Sequence, residues 1–205
     1  MGLLKSRSGA PATGCRPSTS AAPGEPWKDV VVVLYWLRYV CGMVIRDATP
    51  ADFAAVLSLN AESEHYLSPL TPARLAHLHR QTRYHRVIEI DAQVVAFLLV
   101  FGPGADYDSV NYQWFAQRHD CFLYIDRVVV SAARQGGRLG GTLYTDLIAF
   151  AQQTSVATIT CEFDVVPPNE RSRRFHARFG FREVGSQWVA GGKKQVSLQV
   201  LNLDA

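Results

Sequence analysis

The chain has 205 residues, of which 48% are hydrophobic and 19% charged, and this composition excludes collagen-like, coiled-coil and wholly disordered proteins. The net charge of +3 lies within residues 1–42, so the rest of the chain is neutral and lacks the clustered cations that general nucleic-acid binding requires. The 4 cysteines are scattered without the spacing of a metal site, which favours a reducing compartment and no bound metal.

The N-terminal segment differs from the rest of the chain. Residues 1–28 are rich in Ser, Pro, Gly and Ala and are predicted to be disordered. The apolar stretch 30–37 is far shorter than the roughly 20 residues of a membrane span, and no signal-peptide cleavage site follows it. We therefore expect a disordered extension over residues 1–42, a single domain over residues 43–205, no stable membrane insertion and a cytoplasmic protein.

The apolar stretch itself leaves three interpretations open. Met43 is the natural start in the first, which makes residues 1–42 an upstream extension of the reading frame. In the second, the stretch packs on the domain as an added strand or helix. In the third, it associates the protein with a surface.

From Met43 onward, short strands and helices alternate. Thr49-Pro50 and Thr71-Pro72 each join an N-cap residue to proline at the first helical position, which predicts two helix starts after a first strand. Asp91-Ala92 separates two apolar runs and predicts a hairpin turn. A long polar and aromatic connection follows over residues 105–120.

The second half of the chain continues this alternation. Strands are predicted over residues 122–130, 158–163, 181–189 and 195–203, and helices from Leu139 and from Asn169. The element order β-α-α-β-β-β-α-β-α-β-β predicts a single α/β domain of the α+β type.

The most informative local motif covers residues 128–141, where a strand, a glycine-rich bend and a helix start follow one another. Backbone N–H groups in such a bend, together with the helix dipole, attract an anion. Neither the Rossmann GxGxxG pattern nor a Walker Gly-Lys-Ser/Thr is present. The motif predicts a phosphate-binding bend, and a plain tight turn is the alternative.

Two motifs resemble those of the GNAT acetyltransferase superfamily. Residues 135–140, Gln-Gly-Gly-Arg-Leu-Gly, are similar to its Gln/Arg-x-x-Gly-x-Gly/Ala, and residues 169–181 are similar to its Asn-x-x-Ala-x-x-Phe-Tyr-x-x-x-Gly-Phe. Arg138 replaces the first hallmark glycine, so a positive φ there would be strained, although its guanidinium can contact a phosphate. His176 stands where relatives have tyrosine. The resemblance covers about residues 43–205 and points to an uncharacterised bacterial branch.

The resemblance implies a mixed, mostly antiparallel sheet of six to seven strands with about four flanking helices and two splayed central strands. It implies an N-acetyltransferase that uses acetyl-CoA as co-substrate and passes the acetyl group directly to a primary amine in a ternary complex. The acceptor is then a small-molecule or peptide amine. The cofactor-binding residues that it implies are Val128, Val129, Val130, Gln135, Gly136, Gly137, Arg138, Leu139, Gly140, Gly141 and Asn169.

Acetyl transfer needs a base for the amine and an acid for the departing thiolate. His176 is the first candidate acid because the histidine pKa lies near neutrality, and Tyr144 is the second. Asp126 and Glu162 are candidate bases, since a carboxylate near an apolar sheet centre gains a raised pKa. Packing for the two rings, and ordinary salt bridges for the two carboxylates, are the alternatives.

The candidate substrate contacts are Glu62, Tyr107, Trp114 and Tyr124. Acidic and aromatic side chains suit a cationic or aromatic amine, although the aromatic rings could simply pack the long connection against the sheet. A non-catalytic acyl-CoA-binding or regulatory module also remains open, in which Arg138 and His176 record lost chemistry. A homodimer remains open as well, and no nucleic-acid partner is expected.

Overall fold

The computed structural model describes residues 42–203. The predictions for residues 1–42 therefore lie outside the described residues, apart from Gly42. The strands of the described part are β1 (Met43–Asp47), β2 (Thr82–Ile90), β3 (Gln93–Phe101), β4 (Leu123–Val130), β5 (Thr158–Val166), β6 (Arg182–Val189) and β7 (Lys194–Asn202). Its α-helices are α1 (Phe53–Ala61), α2 (Pro72–Gln81), α3 (Val110–Ala116), α4 (Leu139–Gln153) and α5 (Glu170–Arg178).

The strands form one sheet in the order β1-β2-β3-β4-β5-β7-β6. Every neighbouring pair is antiparallel except β4 and β5, which are parallel. Apolar side chains fill a core on each face of the sheet, one beneath α4 and α5 and the other beneath α1, α2 and α3. The predicted mixed, mostly antiparallel sheet is confirmed.

Local sequence signals account for the helix starts and the hairpin. The Thr71 hydroxyl accepts a hydrogen bond from the Arg74 backbone N–H at 3.2 Å, and Thr49 forms a capping box with Asp52. Residues 91 and 92 both have positive φ, 53° and 59°, as a two-residue hairpin turn requires. These short-range predictions are confirmed.

Helix α3 lies within the connection over residues 105–120, for which the sequence predicted no helix. The Ser109 hydroxyl accepts from the Tyr112 backbone N–H at 3.3 Å and starts the helix. Tyr112 and Phe115 are buried and join the core on this face of the sheet. The described part thus has five helices rather than about four.

The two central strands separate after a short paired segment. Residue pairs Leu123–Ile159 and Tyr124–Thr160 are in register, and no further pair joins β4 to β5. On its other edge, β4 shifts register against β3, so that Leu99 faces Arg127 while Val100 faces Ile125. Asp126 is therefore the extra residue of a β-bulge at the point of separation. Within residues 42–203, no helix has the length and apolarity to cross a membrane.

Candidate active site

A cleft of about 2410 Å³ opens where β4 and β5 separate. One wall is the glycine-rich bend with the starts of α4 and α5, and the other includes the loop over residues 62–70 and the start of α3. The sheet residues Asp126 and Glu162 lie between these walls. The predicted anion-binding bend and the predicted carboxylates therefore share one cavity.

The bend has the backbone geometry that its sequence predicts. Arg138 is the N-cap residue of α4 in the left-handed region, with φ 62° and ψ 6°, and no side chain caps the helix. Gly136 has φ 87°. The first N–H groups of α4 thus have no side-chain cap, and the residues that carry them line the cleft. Such a helix start attracts an anion.

Helix α5 supports this bend from the side. Arg171 donates from Nη1 to Oε1 of Gln135 at 2.6 Å, and Gln135 donates from Nε2 to the Val130 carbonyl at 3.3 Å. Asn169 caps α5, its Oδ1 accepting from the Ser172 N–H at 3.0 Å. The bend is therefore tied both to the strand before it and to the last helix.

The two carboxylate oxygens of Glu162 on β5 differ in their hydrogen bonding. Its Oε1 accepts from Nδ2 of Asn111 and from the Tyr124 hydroxyl, each at 2.9 Å. Its Oε2 is buried and has no hydrogen-bond partner among residues 42–203. Burial raises the pKa of Glu162 to about 8, with the negative charges of Asp126 and Asp164 adding to the rise and the two hydrogen bonds opposing it.

Each carboxylate oxygen of Asp126 accepts a hydrogen bond from a neighbouring side chain. One oxygen accepts from the Tyr107 hydroxyl, and the other accepts from Nε of Arg127 at 2.6 Å. Arg127 in turn donates to Oδ1 of Asn60 at 2.7 Å. Each Asp126 oxygen thus already accepts a hydrogen bond, which makes Glu162 the better-placed base, and the base role of Asp126 stays a prediction. Asp126 fastens the Tyr107 segment to β4, and its partner Arg127 fastens the end of α1.

The chain matches the sequence model of the acetyltransferase (GNAT) family over residues 51–181. It belongs to this family. Comparison with functionally curated proteins found no significant match.

Solved structures share the GNAT fold. Ard1 from Thermoplasma volcanium superposes with a TM-score of 0.64 at 15% identity, covering 80% of this chain and 99% of that one. The ribosomal-protein-alanine N-acetyltransferase from Brucella melitensis gives 0.61 at 24% identity, covering 78% and 99%. The Salmonella typhimurium protein yncA, solved with its cofactor acetyl-CoA, gives 0.61 at 20% identity, covering 80% and 95%.

In this GNAT acetyltransferase, His176 is buried between α4 and β5. Its Nε2 lies 2.8 Å from the Tyr144 hydroxyl, its Nδ1 lies 2.8 Å from the Ser172 carbonyl, and its ring stacks on Phe163. Burial lowers the pKa of His176 to about 4, so the ring is neutral at neutral pH. The geometry favours packing over proton donation, and the acid role of His176 and Tyr144 stays a prediction.

The four candidate substrate contacts lie in different places. Tyr107 and Glu62 line the cleft, although Oε2 of Glu62 accepts from the Ala132 N–H at 2.9 Å, at the start of the bend. Tyr124 is buried beneath Glu162. Trp114 does not line the cleft, since its ring stacks with the Arg118 guanidinium, 3.9 Å from the ring centre. The contacts of Glu62, Tyr107 and Tyr124 join residues distant in sequence and had no separate signal there. The Trp114–Arg118 contact is local, because the two residues are 4 positions apart.

The structure also places polar residues at the site that no sequence motif indicated. Asn111 and Arg127 hold the two candidate bases, and Lys194 at the start of β7 donates to Oδ2 of Asp164 at 2.9 Å. Asn111 stood out in the sequence only as an amide among aromatic residues. Its role depends on helix α3, which the sequence did not predict.

Proposed function

We propose that this GNAT protein is an acetyl-CoA-dependent N-acetyltransferase that passes the acetyl group directly to a primary amine in a ternary complex. One observation carries the proposal: a single cleft joins the glycine-rich bend to Glu162, whose Oε2 is buried without a partner in the described part of the chain. An anion site and a proton acceptor in one cavity are what amine acetylation by a coenzyme A thioester requires.

The residues around the bend fit the phosphates of acetyl-CoA. The uncapped start of α4 offers N–H groups, and Arg134, Arg138 and Arg171 line the same part of the cleft. A Cβ at Gly137 would lie 3.2 Å from the Arg134 carbonyl, so the bend leaves little room for a side chain there. The edge of β4 that turns away from β5 after Tyr124 offers backbone groups for the pantetheine arm.

Glu162 acts as the base in this proposal. When bound, acetyl-CoA supplies the acetyl group as a thioester whose sulfur leaves as a thiolate. Oε2 of Glu162 takes a proton from the acceptor ammonium, and the neutral nitrogen then forms the N–C bond as the C–S bond breaks. The nitrogen gives up a second proton as it becomes the amide, which balances the proton that the departing thiolate takes up. A pKa of about 8 suits this task, because it lies closer to the pKa of an alkylammonium, about 10, than that of an ordinary carboxyl does.

The thiolate must finally be protonated. His176 lines the cleft on the side of α5, and Tyr144 stands directly behind it. The Tyr144–His176 pair can be the proton donor only if the ring exchanges its present hydrogen bonds for one to sulfur, and water is the alternative donor.

Turnover tests the proposal. The purified chain is assayed for thiol release from acetyl-CoA against a panel of small primary amines and peptides with free N-termini, with mass spectrometry of the products. Acetylated amine supports the enzyme. Tight binding of coenzyme A without transfer to any member of the panel would favour the alternative, a non-catalytic acyl-CoA-binding module.

A further inference from the structure

Three segments that are distant in sequence meet beside the cleft in a row of side-chain hydrogen bonds. Asn111, in the first turn of α3, is buried and donates from Nδ2 to Oε1 of Glu162 at 2.9 Å. Its Oδ1 accepts from Nε2 of Gln187 on β6. The row Gln187–Asn111–Glu162 thus links the edge strand of the sheet to the candidate base.

The chemistry of the partners fixes the direction of this row. In the ionised form, which is the form that acts as the base, the carboxylate can only accept, so the Asn111 atom that faces Glu162 is then its NH₂ group. The amide of Gln187 then supplies the donor that the remaining Asn111 oxygen needs. Gln187 thereby satisfies the Asn111 oxygen in the orientation in which the Asn111 NH₂ group serves Glu162.

We infer that Asn111 is a positioning residue for acetyl transfer, that Gln187 supports it, and that together they present Oε2 of Glu162 to the acceptor amine. The inference rests on the proposed function. Nothing in the two sequence motifs of the family involves either residue, since both motifs lie elsewhere in the chain.

The two carboxylate oxygens of Glu162 differ in their hydrogen bonds, and this difference supports the positioning role of Asn111. Oε1 of Glu162 receives two donors, from Asn111 and Tyr124, while Oε2 receives none. A proton taken up by Glu162 therefore goes to Oε2. With Asn111 removed, Tyr124 alone would hold Oε1, and the carboxylate could rotate so that Oε2 no longer faces the acceptor.

The other charged groups around Glu162 have partners of their own. Asp126 on β4 is paired with Arg127, and Asp164 on β5 is paired with Lys194 of β7. Two phenols also approach this region, from Tyr107 and from Tyr124. The Asn111 hydrogen bond lowers the pKa of Glu162, so its loss should move that pKa upward, further from neutrality.

The experiment compares Asn111→Ala with Gln113→Ala, which removes an exposed amide from the same helix. In Asn111→Ala, the acidic limb of the kcat/KM profile should move upward by roughly half to one pH unit, and kcat at pH 7 should fall about tenfold. Coenzyme A affinity should be unchanged, and Gln113→Ala should match the wild type. An Asn111→Ala profile with the wild-type limb would overturn the inference.

Gln187→Ala provides a second variant at the sheet edge in case Asn111→Ala fails to fold. The acidic limb of its kcat/KM profile should move in the same direction by a smaller amount. The double variant should match Asn111→Ala alone, because Gln187 acts through Asn111. Independent, additive shifts in the double variant would show that the row does not act as a unit and would overturn the role of Gln187.

Carbon-13 NMR titration of the Glu162 carboxyl separates this inference from the proposed function. It needs no acceptor and no turnover. A wild type that acetylates no amine refutes the proposed function, while the titration still reports whether Asn111 controls Glu162. An identical Glu162 titration in the wild type and in Asn111→Ala overturns the inference whatever the activity.

Discussion

The buried Tyr144 hydroxyl on α4 donates a hydrogen bond to Nε2 of His176 on α5 at a distance of 2.8 Å. The direction follows from the other ring nitrogen, because Nδ1 lies 2.8 Å from the Ser172 carbonyl, which can only accept. The proton of the neutral ring therefore sits on Nδ1. The contact joins the helix that begins at the glycine-rich bend to the helix that supports that bend.

Buried neutral histidines predict a loss of stability in mild acid. The pKa values of His85 and His176 are both lowered to about 4, chiefly by burial. The unfolded chain binds protons near pH 6.5 that the folded histidines do not bind, so the histidine contribution to stability is complete above that pH and is lost toward pH 4. Glu162 has the opposite effect, because its raised pKa of about 8 stabilises the folded chain as the pH falls from 8 toward 4.5. Each histidine should contribute roughly 3 kcal/mol to this loss. Urea unfolding at pH 7.5, 5.5 and 4.5 measures it.

The double variant Tyr144→Phe/His176→Phe serves as the control for this pH dependence. It keeps both rings, removes both polar partners together and removes the titration of His176. Glu162 contributes equally to both proteins, so between pH 6.5 and 4.5 the wild type should lose about 2 kcal/mol more stability than the double variant, which is the contribution of His176. An unchanged pH dependence would mean that His176 titrates normally in the folded protein.

Glu162→Gln tests the base directly. The amide keeps the shape of the side chain but cannot accept a proton from ammonium, so turnover should slow by roughly 10²-fold or more. The wild-type kcat/KM should rise with pH through about 8, following the raised pKa of Glu162. Rate measurements from pH 6 to 9.5 check both expectations. Asp126→Asn is the companion variant, and a larger loss of turnover there would transfer the base role to Asp126.

The sequence predicted those parts of the fold that depend on neighbouring residues. Thr71-Pro72, Asp91-Ala92 and Asn169 act through contacts within a few residues, so their signals were visible. The hydrogen-bond partners of the candidate base Glu162 could not be predicted from neighbouring residues. Asn111 meets Glu162 across 51 positions and Gln187 across 76, and such contacts arise only when the sheet has formed.

At the two departures from the family motifs, Arg138 and His176, the sequence located each residue but not its contacts in the folded chain. The sequence indicated that Arg138 would be strained if its position required a positive φ, and the structure gives it a φ of 62°. For His176, the motif located the residue on its helix but did not reveal its partners. The Tyr144 and Ser172 contacts, which decide the protonation of the ring, belong to the packing of α4 against α5.

Arg138→Gly separates backbone strain from phosphate binding. Relief of the left-handed conformation should raise the free energy of unfolding by up to about 1 kcal/mol, after the greater freedom of glycine in the unfolded chain is subtracted. Loss of the guanidinium should weaken coenzyme A binding. Ser155→Gly is the matched control, because Ser155 also has a positive φ, 56°, beyond the end of α4. It should gain similar stability with unchanged coenzyme A affinity.

Gly140→Asp tests the location of the anion site. A carboxylate in the first turn of α4 would repel the phosphates, so coenzyme A affinity should fall more than tenfold. A Cβ at this position would make ordinary contacts of 3.6 Å with Phe175 and 3.8 Å with Val130, so the fold should tolerate it. Gly140→Asn has the same shape without the charge. Calorimetric titration of both variants isolates the charge, and equal affinity in a folded Gly140→Asp protein would place the site elsewhere.

His176→Ala decides between packing and proton donation at α5. The ring is 4% exposed and stacks on Phe163, and its removal leaves the Tyr144 hydroxyl buried without its partner. We expect a loss of roughly 2–4 kcal/mol in the free energy of unfolding and a less than tenfold fall in turnover when the folded fraction is held constant. His176→Tyr should then give no gain in rate over His176→Ala. If turnover instead slows by roughly 10²-fold or more, and His176→Tyr restores part of the rate with coenzyme A affinity intact, His176 is the donor to the thiolate.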